Sequence, residues 1–203
     1  MREAGGAAAS EQIDAAAQSA TDAAPGALAP RGAGLDLSPP DSGAPEQAAH
    51  TGLALPERWS LLDATADPFS DRPAVVDCPM AGVTPETLSD ERVLGVETGW
   101  CNYLTASQPT LRAVAAGEEI KVRLWHFELF ASEPAEAHAA VLVDGLAVLD
   151  ERVPIPGPGG LIVRKVVAAR AIPAGATAYF HLHNHGANSW ALVEVSVGPA
   201  TTN

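Results

Sequence analysis

From residue 56 onward the chain nowhere sustains apolar residues at helical spacing, and turn signals recur roughly every eight to twelve residues. That rhythm restricts it to an all-β fold, because each short run must find its hydrogen-bond partners in other strands. The strongest run covers residues 119–130. There Ile120, Val122, Leu124 and His126 share one face, while Lys121, Arg123, Trp125 and Phe127 share the other. Two further runs, 138–143 and 146–153, flank Asp144-Gly145, the dipeptide that suits a two-residue hairpin turn. Prolines at 154, 156 and 158 end that hairpin, since they cannot donate to a ladder. Additional strands are expected at 92–97, 161–169, 177–183 and 191–197. About seven or eight short strands without a long amphipathic helix predict an antiparallel β-sandwich or barrel.

Residues 1–55 differ in kind. They contain no aromatic residue and no cysteine, and alanine, proline, glycine, serine and acidic residues dominate. Such a segment buries too little apolar surface to offset the entropy of ordering. We therefore expect a disordered, low-complexity leader over 1–55 and one folded domain over 56–203, which holds every Trp, Tyr, Phe and Cys. Its first aromatic, Trp59, with Leu61, Leu62 and Phe69, is expected to pin an irregular segment against the domain.

The formal net charge of −13 disfavours nucleic acid and anionic membranes as partners, since both demand basic patches. No apolar run reaches the length of a membrane span. Met1 does not open an apolar signal segment. A leader of this composition nevertheless matches a linker behind an export signal or lipid anchor, so we expect an extracellular or cell-envelope location.

Cys78 and Cys101 are the only cysteines. A disulfide, two buried thiols and half of a metal site all fit a lone pair; without a Cys-x-x-Cys motif, the disulfide is the reading we carry forward. It would close a loop of about two dozen residues and indicate an oxidising compartment.

Three of the six histidines and one of the four tryptophans fall within residues 177–190. Read as a strand, Ala178, Phe180 and Leu182 point one way, and Tyr179, His181 and His183 the other. Were this strand in the same sheet as Trp125 and Phe127, their outer faces would form one strip of rings and imidazoles. Flat apolar rings beside donors and acceptors suit a carbohydrate. Ile172-Pro-Ala-Gly-Ala176, the strand that follows, the stretch 184–190 and the last apolar strand together resemble the closing hairpin of jelly-roll sandwiches. The family is the galactose-binding and carbohydrate-binding-module type, and the resemblance covers roughly residues 90–198. It implies a jelly-roll-like β-sandwich that holds glycans on an aromatic face.

His181-x-His183 also has the spacing by which a strand offers two imidazoles to a metal, with His126 or His138 to complete the set. Gly175 followed by His181-x-His183 resembles the opening of the cupin metal motif, but the expected glutamate is replaced by Ala187 or Asn188 and too little chain remains for the second motif. No nucleophile elbow, zincin motif, P-loop or dinucleotide fingerprint occurs, and no catalytic residue is assigned.

The chain is thus expected to be a non-enzymatic exported binding module for a carbohydrate or cell-surface glycan, without cofactor. Trp125, Phe127, Tyr179, His181 and His183 are its contact residues. One alternative is a cupin-like protein holding a divalent transition metal through His181, His183, His126 and His138. The other is a structural cell-envelope domain with no small ligand.

Overall fold

The computed structural model describes residues 51–199. Residues 1–50 of the leader expected over 1–55, and the last four residues of the chain, lie outside the described residues.

Among the described residues eleven strands pair into two antiparallel sheets. They are β1 (Thr51–Gly52), β2 (Ser60–Leu61), β3 (Val83–Leu88), β4 (Glu91–Glu97), β5 (Tyr103–Pro109), β6 (Glu118–His126), β7 (Ala135–Val143), β8 (Leu146–Ile155), β9 (Gly160–Val167), β10 (Thr177–His183) and β11 (Ser189–Pro199). The first sheet runs β3-β4-β11-β6-β9, with β1 alongside β11; the second runs β2-β5-β10-β7-β8. No α-helix occurs among the described residues. The protein is an antiparallel β-sandwich.

The alternation read from the sequence explains why the sheets face each other. Ile120, Val122 and Leu124 of β6 are fully buried, as are Phe180 and Leu182 of β10 across the core. In β11 the inward residues are Trp190 and Leu192, then Val195 and Val197. The register shift between Leu192 and Glu194 is what changes that phase. One extra residue in the strand lets both apolar pairs face inward and turns Glu194 out.

The 144–145 hairpin forms as expected: Val143 pairs with Leu146, and Asp144 and Gly145 both adopt positive φ, at 51° and 78°. A two-residue turn with this backbone matches the strand twist. Cys78 and Cys101 are joined in a disulfide.

Several boundaries differ from expectation. The sandwich is entered at Thr51 rather than Pro56, because β1 pairs with β11 and Leu53 is fully buried. β6 stops at His126, not residue 130; beyond it the Phe130 N–H donates to Asn188 Oδ1 instead of a ladder carbonyl. β3 lies outside the strands expected from the sequence and contains Pro85. The proline is tolerated because β3 is an edge strand, where a missing donor costs no ladder bond.

The largest correction concerns the proposed strip. β6, carrying Trp125, and β10, carrying Tyr179, His181 and His183, belong to opposite sheets. Both strands alternate as read, so their outer faces point to opposite sides of the molecule. Trp125 and Phe127 therefore share no surface with Tyr179, His181 and His183.

Candidate functional site

The outer face of each sheet carries one group of candidate side chains. On the β6 side, Trp125 and Arg123 project outward between β11 and β9. With Val193 from the β11 bulge, Leu161 of β9, Phe127, and Leu88, Ser89 and Glu91 around the β3–β4 turn, they line an open cleft of about 270 Å³. Phe127 is 49% exposed and Leu161 43%. The Trp125 and Phe127 rings meet edge to face, with centroids 6.2 Å apart. Trp125 Nε1 is buried and has no hydrogen-bond partner among the described residues. The ring, not its N–H, is what the cleft offers a ligand.

The polar side of the cleft is already ordered. Arg123 donates to both carboxylate oxygens of Glu91, at 2.6 and 3.2 Å, and lies 3.7 Å from Glu194. That pairing raises the Arg123 pKa, first through the Glu91 hydrogen bond and against some desolvation. A bidentate guanidinium–carboxylate pair holds both groups in fixed positions beside the rings.

On the β10 side His181 does not face solvent, and His183 is only partly exposed. After β2 the chain crosses the outer face of the second sheet, and Phe69 stacks on His181 at 4.2 Å. His181 is fully buried, so it cannot touch an external ligand as expected from sequence. Asp71, from the same crossing segment, lies among three imidazoles. His138 Nδ1 is 2.8 Å from its Oδ2, His183 Nδ1 is 3.3 Å from Oδ2, and His181 Nε2 is 3.3 Å from Oδ1. His183 and His138 are direct cross-strand partners and His181 lies two residues along, which is why all three reach one point. Burial disfavours the Asp71 carboxylate, but the hydrogen bond from His138 and the nearby imidazole charges outweigh it and hold its pKa far below the carboxylate range. Burial drives His181 the other way for a base, down to about 4, against the attraction of Asp71.

Asp67 anchors the same segment a turn earlier. It accepts hydrogen bonds from the Phe69 N–H (3.0 Å), Arg72 Nη1 (2.8 Å), the Tyr103 hydroxyl (2.7 Å) and the Thr105 hydroxyl (3.0 Å). Burial opposes its ionisation; these four donors together win and depress its pKa. Tyr103 is pushed above its usual range, chiefly by burial and then by its hydrogen bond to Asp67 and the charge there.

Among the residues expected to hold a metal, the structure unites His138, His181 and His183 and leaves out His126. Its ring points inward from β6, 4.7 Å from that of Trp190, with Nδ1 3.0 Å from the Phe127 carbonyl. Donor atoms of Asp71, His138 and His181 all lie within 4.8 Å of one another. Sequence reasoning missed Asp71, because nothing in Phe69-Ser70-Asp71-Arg72 distinguishes a turn aspartate from a site residue. Tyr179 is half-buried on the outer face of β10, two residues from His181 and away from Trp125.

No helix among the described residues is long and apolar enough to cross a membrane. No protein-family model matches the chain, and no curated protein matches it. Among solved structures, a cleaved adhesin domain of Lys-gingipain from Porphyromonas gingivalis is 12% identical, covering 73% of this chain and 94% of that one, with a TM-score of 0.42. A carbohydrate-binding module studied for specific mannan recognition is 8% identical over 76% of this chain and 98% of its own, also at 0.42. A family 4 carbohydrate-binding module is 17% identical, covering 71% and 96%, at 0.36.

Proposed function

We propose that this sandwich is a carbohydrate-binding module that holds a glycan in the Trp125 cleft. The observation that carries the reading is an open cleft pairing two aromatic rings with a fixed carboxylate–guanidinium pair, Glu91 and Arg123. A sugar presents a C–H face for the rings and hydroxyls for ionic donors and acceptors. Ser89 adds a further hydroxyl at the rim. The assignment moves the contact set away from the histidine strand: Trp125 and Phe127 provide stacking, while Tyr179, His181 and His183 take no part. The disulfide supports folding in an oxidising compartment, and so an exported module.

The test is a glycan array on the full chain, followed by calorimetry on any hit with Trp125→Ala, Phe127→Ala and His183→Ala. Replacing Trp125 is expected to weaken binding at least about tenfold, as for a central aromatic anchor, and replacing His183 to leave it unchanged. The reading fails if no glycan binds, or if binding survives Trp125→Ala.

A further inference from the structure

The histidines on the opposite sheet pose a separate problem of chemical complementarity, independent of the glycan reading. His181 Nδ1 lies 3.0 Å from the Leu104 carbonyl oxygen and 3.2 Å from Thr105 Oγ1. A carbonyl can only accept, and the Thr105 hydroxyl donates its proton to Asp67, so Nδ1 must carry the hydrogen. In the neutral ring Nε2 then presents a lone pair, and it faces the Asp71 carboxylate at 3.3 Å. His138 repeats the conflict. Its Nε2 lies 3.0 Å from Asp150 Oδ1 and its Nδ1 2.8 Å from Asp71 Oδ2, a carboxylate at each nitrogen. If the N–H points to Asp150, the Nδ1 lone pair meets Asp71; if it points to Asp71, the Nε2 lone pair meets Asp150.

Lone pairs turned on a carboxylate repel unless positive charge lies between them. Extra protons on buried imidazoles are one remedy, and they carry the cost of burying charge. A cation is the other, and the surroundings suit it. Metal-bound histidines characteristically donate their outer N–H to a carboxylate or backbone carbonyl, the roles Asp150 and Leu104 fill here. We propose that Asp71, His138, His181 and His183 form a site for a divalent transition metal, partly covered by the segment that carries Phe69 and Asp71.

The dimensions fit. Zinc bonds of about 2.0–2.1 Å in a tetrahedron set ligand atoms roughly 3.3–3.4 Å apart. The three histidine nitrogens lie 2.8 to 3.3 Å from Asp71 oxygens. Donor atoms of Asp71, His138 and His181 are no more than 4.8 Å from one another, so side-chain shifts of about 1–2 Å would bring these three onto one ion, and His183, whose Nδ1 lies 3.3 Å from Asp71 Oδ2, is the fourth ligand we assign. Three imidazoles and one carboxylate favour zinc, cobalt, nickel or copper over calcium or magnesium, which take oxygen ligands. With every position supplied by protein, the site would clamp the crossing segment to β7 and β10 and leave no position open for substrate.

The experiment uses the full chain without a histidine tag, stripped with chelator and dialysed. Zinc alone is titrated calorimetrically, and cobalt alone is followed by its visible absorption, which distinguishes tetrahedral coordination. We expect one ion per chain, a tetrahedral cobalt spectrum, and a higher melting temperature with zinc. His181→Asn should reduce affinity at least about a hundredfold. Asp150→Asn alters an exposed outer partner and should fold normally while weakening binding about tenfold, as expected for an outer-shell residue. Folded wild-type protein that binds neither ion stoichiometrically, with protons on both His138 and His181 resolving the contacts, would overturn the proposal. So would binding that is indifferent to Asp150→Asn and His183→Gln.

Discussion

Replacing Asp67 by asparagine tests whether the segment covering the histidines is held by charge. The side chain is 1% exposed, and its two oxygens have separate partners. Oδ1 accepts from the Phe69 N–H and Thr105, and Oδ2 from Arg72 and Tyr103. Asparagine keeps shape and one acceptor, so the Oδ1 bonds survive in neutral form. The other position becomes an NH₂ group facing a guanidinium, and two charge-assisted bonds of about 1.5 kcal/mol each are lost. Tyr103 can turn its hydroxyl to accept, which recovers part of one. The expected loss is about 2–3 kcal/mol at pH 7. Because the folded pKa of Asp67 is depressed, the unfolded chain binds more protons in acid. Wild-type stability from this group is therefore complete above the unfolded pKa of about 3.9 and is lost as pH falls through the folded value. The gap between wild type and variant should be constant from pH 7 to about 5 and shrink below pH 4. Urea unfolding across this range, in chelator so that no metal at Asp71 contributes, measures it. A gap under about 1 kcal/mol, or one that persists unchanged in acid, refutes the reasoning.

Other perturbations probe the remaining parts of the fold. Phe180→Ala should cost about 3–5 kcal/mol in urea unfolding, since the ring is fully buried and packs edge to face with Trp59 at 6.2 Å. Gly186→Ala should destabilise by about 2 kcal/mol or more, read as a fall in melting temperature, because φ is +85° and the added Cβ would overlap the Phe130 carbonyl oxygen. Replacing Cys78 and Cys101 by serine opens a loop closed over a separation of 23 residues and should lower unfolding free energy by about 3 kcal/mol. Arg123→Ala should lower glycan affinity while changing stability by less than about 1 kcal/mol, because its pair with Glu91 is partly exposed.

The local pattern of the chain was sufficient for the sandwich. Alternation in residues 119–126 and 177–183 decided which side chains of β6 and β10 go inward, and Asp144-Gly145 decided the turn that joins β7 to β8, because both signals act between neighbouring residues; the one-residue register shift at Val141/Leu142 farther along that hairpin is not written in the turn. Where sequence reasoning failed, the missing information was pairing. Whether β6 lies beside β10 depends on which strands exchange hydrogen bonds across the chain, and alternation is the same in either sheet. Tertiary structure alone therefore separated Trp125 from Tyr179. It also folded the segment after β2 over His181, and brought Asp71 to three imidazoles from 67 to 112 residues away. A lone aspartate in a turn acquires its chemistry only from what packs on it, whereas the two faces of a strand are written in every second residue.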